Sequence, residues 1–130
     1  MHYATEDFHA AEEIWTKATS LLKAIPSSPK GLMSELMNNL GCVQFENDCS
    51  RLALKSFEEA LVLLQKNSIS SSYLKEPNPS KETRLNLSIV KSNIGYVHLR
   101  TKNIRSASSC FKTAIKVRNY FSFVIPSSHV

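Results

Sequence analysis

Few side chains in this 130-residue chain could do nucleophilic or metal chemistry: His2, His9, His98, His129, Cys42, Cys49 and Cys110. Helical metal sites need ligands one turn apart on a shared face, and no His-x-x-x-His or His-Glu-x-x-His pairing occurs. The cysteines are odd in number, with one spacing of seven and the third far downstream, which fits neither a disulfide framework nor a zinc ligand set. Three glycines in all leave no Gly-rich phosphate cradle. A thiol–imidazole pair between Cys42 or Cys110 and His98 is conceivable, but small fillers on helices are the plainer reading of those positions. The sequence therefore assigns no catalytic, cofactor-binding or metal-binding residue. A non-enzymatic protein that uses no cofactor is expected.

Charge is the other chemical resource, and it is divided along the chain. Residues 1–65 carry five Lys/Arg against nine Asp/Glu, a net −4, whereas residues 66–130 carry eleven against two, a net +9. Nothing acidic follows Glu82. Arg105, Lys112 and Lys116 form a stripe at spacings of seven and four, able to meet RNA or an acidic protein, or simply to face water. No aromatics interleave with the stripe, so nucleic acid is the disfavoured partner. The ending Ser128-His129-Val130 fits a tail that PDZ domains add as a strand, and Asn86-Leu87-Ser88 is a formal glycosylation site; neither three-residue pattern is specific.

The elements that must position these groups read as helices. Prolines fall in three places (Pro26 with Pro29, Pro77 with Pro79, and Pro126) and leave Pro-free spans between them. Within those spans Leu36, Leu40 and Val43, then Ala53, Phe57, Ala60 and Leu64, then Val90, Ile94 and Val97 recur every three or four residues. The Ser-, Asn- and Pro-rich stretch 66–83 reads as a long loop. The longest apolar run, Ala60 to Leu64, is far below the roughly 20 residues of a membrane span. With no basic-then-apolar leader at the start, a soluble, cytoplasmic chain with no membrane partner is expected.

Shifting the chain by 54 residues superposes Asn39 on Asn93, Gly41 on Gly95, Val43 on Val97, Arg51 on Arg105, Ala53 on Ala107, Phe57 on Phe111 and Ala60 on Ala114. Ala11, Trp15 and Ala18 repeat the last three of these at an offset of 42. A mid-helix glycine costs about 1 kcal/mol relative to alanine, so Gly41 and Gly95 imply a helix crossing at very close range. The alanines of the next helix are the expected neighbours there, with Trp15, Phe57 and Phe111 filling the space between units. Turns are expected at Asn47-Asp48 and Lys102-Asn103, where Asp and Asn can accept the free N–H groups of the second helix.

Leu40-Gly41, Ala53, Phe57 and Ala60, and again Ile94-Gly95, Ala107, Phe111 and Ala114, resemble the skeleton of the tetratricopeptide repeat. Glu6-Asp7-Phe8 resembles that family's turn into a second helix, and the 42-residue step its longer, kinesin-light-chain-like members. Gln44 and His98 stand where the family has Tyr, and the turn glycine is absent. The resemblance implies an all-α fold of antiparallel helix-turn-helix repeats stacked as a short right-handed α-solenoid. It divides a single domain, 1–130, into a partial first repeat (5–24), a second repeat (32–65), a loop insertion (66–83), a third repeat (84–118) and a tail (119–130). It implies a protein-interaction or scaffold module whose first helices line a concave groove for a peptide or helix of acidic character. By register the groove would hold Glu35, Asn38, Cys42, Phe45 and Glu46, and Ile89, Ser92, Tyr96, Leu99 and Arg100, with Arg105, Lys112 and Lys116 as a separate basic face. Ile89, Ser92 and Tyr96 stand where a carboxylate clamp for chaperone tails would need Lys and Arg. The alternatives are a basic nucleic-acid-binding repeat and a regulatory subdomain of a larger protein. The first helix, with Phe8, Ala11, Trp15 and Ala18 on a face lacking its usual partner, is expected to self-associate, to meet the segment 120–125, or to belong to a longer parent protein.

Overall fold

The structure, a computed structural model, describes the backbone of residues 2–25, 30–70 and 81–124 and the side-chain surroundings of 9–25, 31–66 and 81–119. Among the described residues the fold is all-α, with five helices and no strand: α1 His2–Lys23, α2 Lys30–Glu46, α3 Ser50–Ser70, α4 Lys81–Arg100 and α5 Ile104–Val124. Helix ends run further than proline punctuation alone indicates. Residues 66–70 contain neither Pro nor Gly, so α3 propagates to Ser70, and α4 begins at Lys81 directly after the Pro-containing stretch. The expected loop at 66–83 thus contracts to 71–80, outside the described residues. Similarly, α5 passes 118 to reach Val124, and the remaining tail with its Ser128-His129-Val130 ending lies outside the described residues.

The chain forms two compact units, Met1–Asn67 and Ser68–Val130. In the first, α1 packs on α2, and Leu36, Met37 and Leu40 of α2 are buried with Ala53, Phe57, Ala60 and Leu64 of α3. A buried polar pair crosses this core: the Ser56 hydroxyl donates to Gln44 Oε1 at 2.6 Å. Lys23 Nζ of α1 meets Glu59 of α3 at 3.5 Å, a half-exposed pair. In the second unit α4 packs on α5, burying Val90, Ile94 and Val97 with Ala107 and Ala114. There the Ser88 hydroxyl reaches the Ala114 carbonyl at 3.0 Å.

The glycines explain the shared skeleton. A Cβ on Gly41 would stand 2.5 Å from Phe57 Cε1, and one on Gly95 would stand 2.9 Å from Phe111 Cε1 and Cζ. The ring therefore lies on the glycine of its own hairpin. The nearest atoms to each glycine are thus those of the ring, where alanines were the expected neighbours. A flat ring edge needs the room that a missing Cβ leaves, whereas an alanine methyl would tolerate more.

Both connections end in the same hydrogen bonds, 54 residues apart. The Cys49 N–H donates to the Gln44 carbonyl at 2.9 Å and the Asp48 N–H to the Phe45 carbonyl at 3.1 Å. In the second hairpin the Asn103 N–H donates to the His98 carbonyl at 2.7 Å and the Lys102 N–H to the Leu99 carbonyl at 3.1 Å. These are Schellman ends, whose turning residue must be left-handed, and Asp48 and Lys102 have φ of 62° and 65°. The carbonyls that open α3 and α5 belong to Cys49 and Asn103, each accepting at 2.9 Å from Ala53 and Ala107. Asn103 thus sits at a cap as expected. In the other turn Asp48 is the left-handed residue, and Cys49 holds the capping position.

α1 departs from expectation in the face it exposes. Packing against α2 leaves Ala11, Trp15 and Ala18 half-buried and Thr19 buried; the Phe8 side chain lies outside the described residues. The exposed row is instead Ala10, Ile14 and Leu21, with Ile25 just beyond the helix.

Candidate interaction surface

The first helix of each hairpin turns one stripe into the core and the opposite stripe to water. On α4 the buried stripe is Val90, Ile94 and Val97, with Gly95 under the Phe111 ring. The outer stripe carries Ile89, Ser92, Tyr96, Leu99 and Arg100, each exposed or half-exposed, so the five positions deduced by register share one side of the helix. Leu85 belongs with them, and sequence reasoning missed it. It precedes Ile89 by one turn, and Leu85, Ile89, Ser92, Tyr96 and Leu99 run at spacings of four, three, four and three. The apolar members are between 44% and 53% exposed, an apolar row over four turns of a helix. Tyr96 is fixed by an edge-on contact with Phe111, ring centroids 5.1 Å apart at 72°, so its ring is held in place at the surface.

The corresponding face of α2 has a different chemistry. Glu35, Cys42 and Glu46 are exposed, and Asn38 and Phe45 are half-buried. Although the residue reaches the surface, partial desolvation of the thiol pushes Cys42 above its ordinary range, and the Glu46 carboxylate one turn away adds to the shift. That is opposite to the activation a nucleophilic cysteine requires. His98 and Cys110 are each half-buried, at the register that Gln44 and Ser56 occupy in the first hairpin.

Arg105, Lys112 and Lys116 are all exposed on α5 and, with Ile104, Ser108, Ser109 and Thr113, line an open groove of about 670 Å³. Arg84, one of the basic residues that follow Glu82, is buried in α4. Among the described residues no group of three or more His, Cys, Asp or Glu is placed to hold a metal ion, and no described helix is long and apolar enough to cross a membrane. Comparison with protein-family models, with curated proteins and with solved structures finds no match to this chain.

Proposed function

We propose that the chain is a non-enzymatic protein-interaction module built of tetratricopeptide-like helical hairpins, which binds the apolar side of a partner helix or an extended peptide along α4. The observation carrying this reading is the exposed row Leu85, Ile89, Tyr96 and Leu99, spaced as a helix-pairing seam and anchored by a ring already held against Phe111. Its four large apolar residues lie outside the buried stripe, and only Tyr96 among them is engaged in the hairpin's own ring contact. Arg100 at the end of the row supplies a cation for a carboxylate on the partner.

The test uses peptides of about 20 residues displayed as amphipathic helices and selected on the immobilised chain. Binders that use α4 should lose affinity at least about tenfold against Ile89→Asp or Leu99→Asp, since apolar anchors at an interface centre carry most of its free energy. The same binders should tolerate Leu52→Asp, a change at an exposed site on α3. Selected peptides that bind both α4 variants with the parent's affinity would refute the assignment.

A further inference from the structure

The outer face of α5 carries cations, hydroxyls and isoleucines that the α4–α5 contact leaves in water. Arg105, Lys112 and Lys116 stand at spacings of seven and four, which on an α-helix keeps them within an arc of about 40° and spreads them over about 16 Å of its length. None of the three is drawn into an ion pair among the described residues, and no carboxylate follows Glu82 in the chain. Ser108 and Ser109 add hydroxyl donors between the cations and line the same open groove. Along one flank Ile104 and Ile115, 61% and 59% exposed, repeat the eleven-residue step of Arg105 and Lys116, while the inward stripe of the helix is Ala107 and Ala114. A face shaped for solubility alone would mix charges of both signs and would not keep two isoleucines in water beside an uncompensated row of cations.

We infer that this face docks an acidic amphipathic helix of a partner protein, its carboxylates toward Arg105, Lys112 and Lys116 and its apolar side over Ile104 and Ile115. Three cations without a counter-charge set the sign of the partner. A helix has the same rise and pitch as α5, so carboxylates at spacings of seven and four on the partner can stand opposite all three cations together. The isoleucines decide between the two anionic classes. A phosphodiester backbone offers them no apolar surface, and no aromatic side chain lines the groove for a base to stack on, whereas an acidic helix brings carboxylates and apolar side chains at once. A second copy's α1 does not fill this role: Lys17 stands in its exposed row, and Lys17 Nζ already meets Glu13 at 3.5 Å. One helix face on another lies at the small end of interface sizes, so the contact is weak and salt-sensitive. The α5 face is separate from the α4 row and stands or falls independently of the peptide-binding reading.

Fluorescence anisotropy on the full chain tests it with two helix-forming peptides of identical composition, each about 20 residues long. In the first, glutamates at spacings of seven and four share one side with two leucines eleven residues apart; in the second, the same residues are dispersed around the helix. The first should bind at least about tenfold more tightly than the second, and its affinity should fall at least about tenfold between about 50 mM and about 300 mM salt. Lys112→Glu/Lys116→Glu and Ile104→Gln/Ile115→Gln should each weaken it at least about tenfold. Arg51→Glu/Lys55→Glu makes the same change in net charge at exposed sites on α3 and should leave the affinity within about twofold, as should Leu99→Asp on the α4 row. Circular dichroism matching the parent's excludes unfolding as the cause. The inference is overturned if neither peptide binds, if the dispersed peptide binds as tightly as the first, or if the isoleucine variant binds as the parent does, which would leave only a solvated cationic face. Equal losses on α3 and α5 would reduce the effect to net charge, and a loss with Leu99→Asp would move the peptide to α4; either result overturns it. So does a uridine oligonucleotide that displaces the first peptide at a concentration below the peptide's own Kd, since the face would then be a polyanion site.

Discussion

Replacing the two core glycines by alanine separates helix propensity from packing, and the two hairpins serve as controls for each other. Alanine in a helix interior gains about 1 kcal/mol over glycine. Against this stands the ring. At Gly41 the new Cβ would lie 2.5 to 2.9 Å from three carbons of Phe57, where ordinary contact begins at 3.4 Å, so the ring must move by nearly an ångström. Phe57 is 1% exposed and has nowhere to go without displacing its neighbours. Overpacking costs about 1–3 kcal/mol, and a fully buried ring puts this site in the upper part of that range, so Gly41→Ala should destabilise by about 1–2 kcal/mol after the propensity gain. At Gly95 the nearest approach is 2.9 to 3.1 Å, and Phe111 is half-buried beside exposed Tyr96. That ring can slide outward by a few tenths of an ångström, and the two terms should nearly cancel. Gly31, with nothing within 4 Å, should accept alanine without loss.

Urea denaturation followed by circular dichroism would rank the three variants. A double-mutant cycle with Phe57→Leu tests the cause, because the flexible leucine yields to the methyl group where the ring cannot. The cost of Gly41→Ala should fall by about 1 kcal/mol or more in the Phe57→Leu background. Additive costs, or a Gly41→Ala variant as stable as Gly31→Ala, would refute the claim that the glycine is there for the ring.

Two other sets of changes follow from particular atoms. In the turns, Lys102→Gly relieves a left-handed lysine and should stabilise by about 0.5 kcal/mol net of the glycine's backbone entropy. Asp48→Gly should gain less, since aspartate tolerates that conformation better, and Cys49→Asn should add about 1 kcal/mol by placing a good acceptor at the start of α3. Thermal melts of the three variants check the order. For Cys42, burial followed by the Glu46 charge raises the thiol's pKa, so its thiolate fraction near neutral pH lies below that of an ordinary cysteine. Iodoacetamide should label Cys42 more slowly in the folded chain than in urea, and Glu46→Gln should speed the folded-state reaction. Mass-resolved labelling over the neutral to mildly alkaline range reads both, and equal folded and unfolded rates would contradict the shift.

Positions held by three-and-four spacing are legible in the amino-acid order alone, because one stripe of an amphipathic helix must face inward. Leu36, Leu40, Ala53, Phe57, Ala60, Leu64, Val90, Ile94 and Val97 are all buried, and Val43 is half-buried. The face that α1 exposes is harder to read, since its apolar residues form two adjacent rows, Ala10, Ile14 and Leu21 beside Ala11, Trp15 and Leu22. Which part is covered depends on the angle at which α2 meets it, and spacing along one helix carries no such information. The identity of each glycine's neighbour is equally hidden, because two hairpin geometries satisfy the same Gly–Ala–ring pattern. Helix ends escape for a simpler reason: polar residues such as Asn67 and Ser68 permit a helix to continue as readily as they permit a loop. Leu85 is within reach of sequence reasoning, lying one turn before Ile89 on a span that reads as helical.

The 54-residue register also shows where the two hairpins were free to differ. Their inner stripes repeat, as do their turns, because the same crossing imposes the same demands. Their outer stripes do not. Gly31, Glu35, Asn38, Cys42, Phe45 and Glu46 on α2 correspond to Leu85, Ile89, Ser92, Tyr96, Leu99 and Arg100 on α4, so a largely polar and acidic face has become an apolar one with a terminal cation. If the outer residues served only to keep the hairpin soluble, the polar version would suffice in both places, and four large apolar side chains at the surface would bring only a tendency to aggregate. The ring of Tyr96 adds to the contrast. It braces Phe111 from outside, whereas in the first hairpin Phe57 is fully buried with a cysteine at the matching position. Packing thus explains what the hairpins share, and the apolar row that only α4 carries is the feature that the proposed recognition would use.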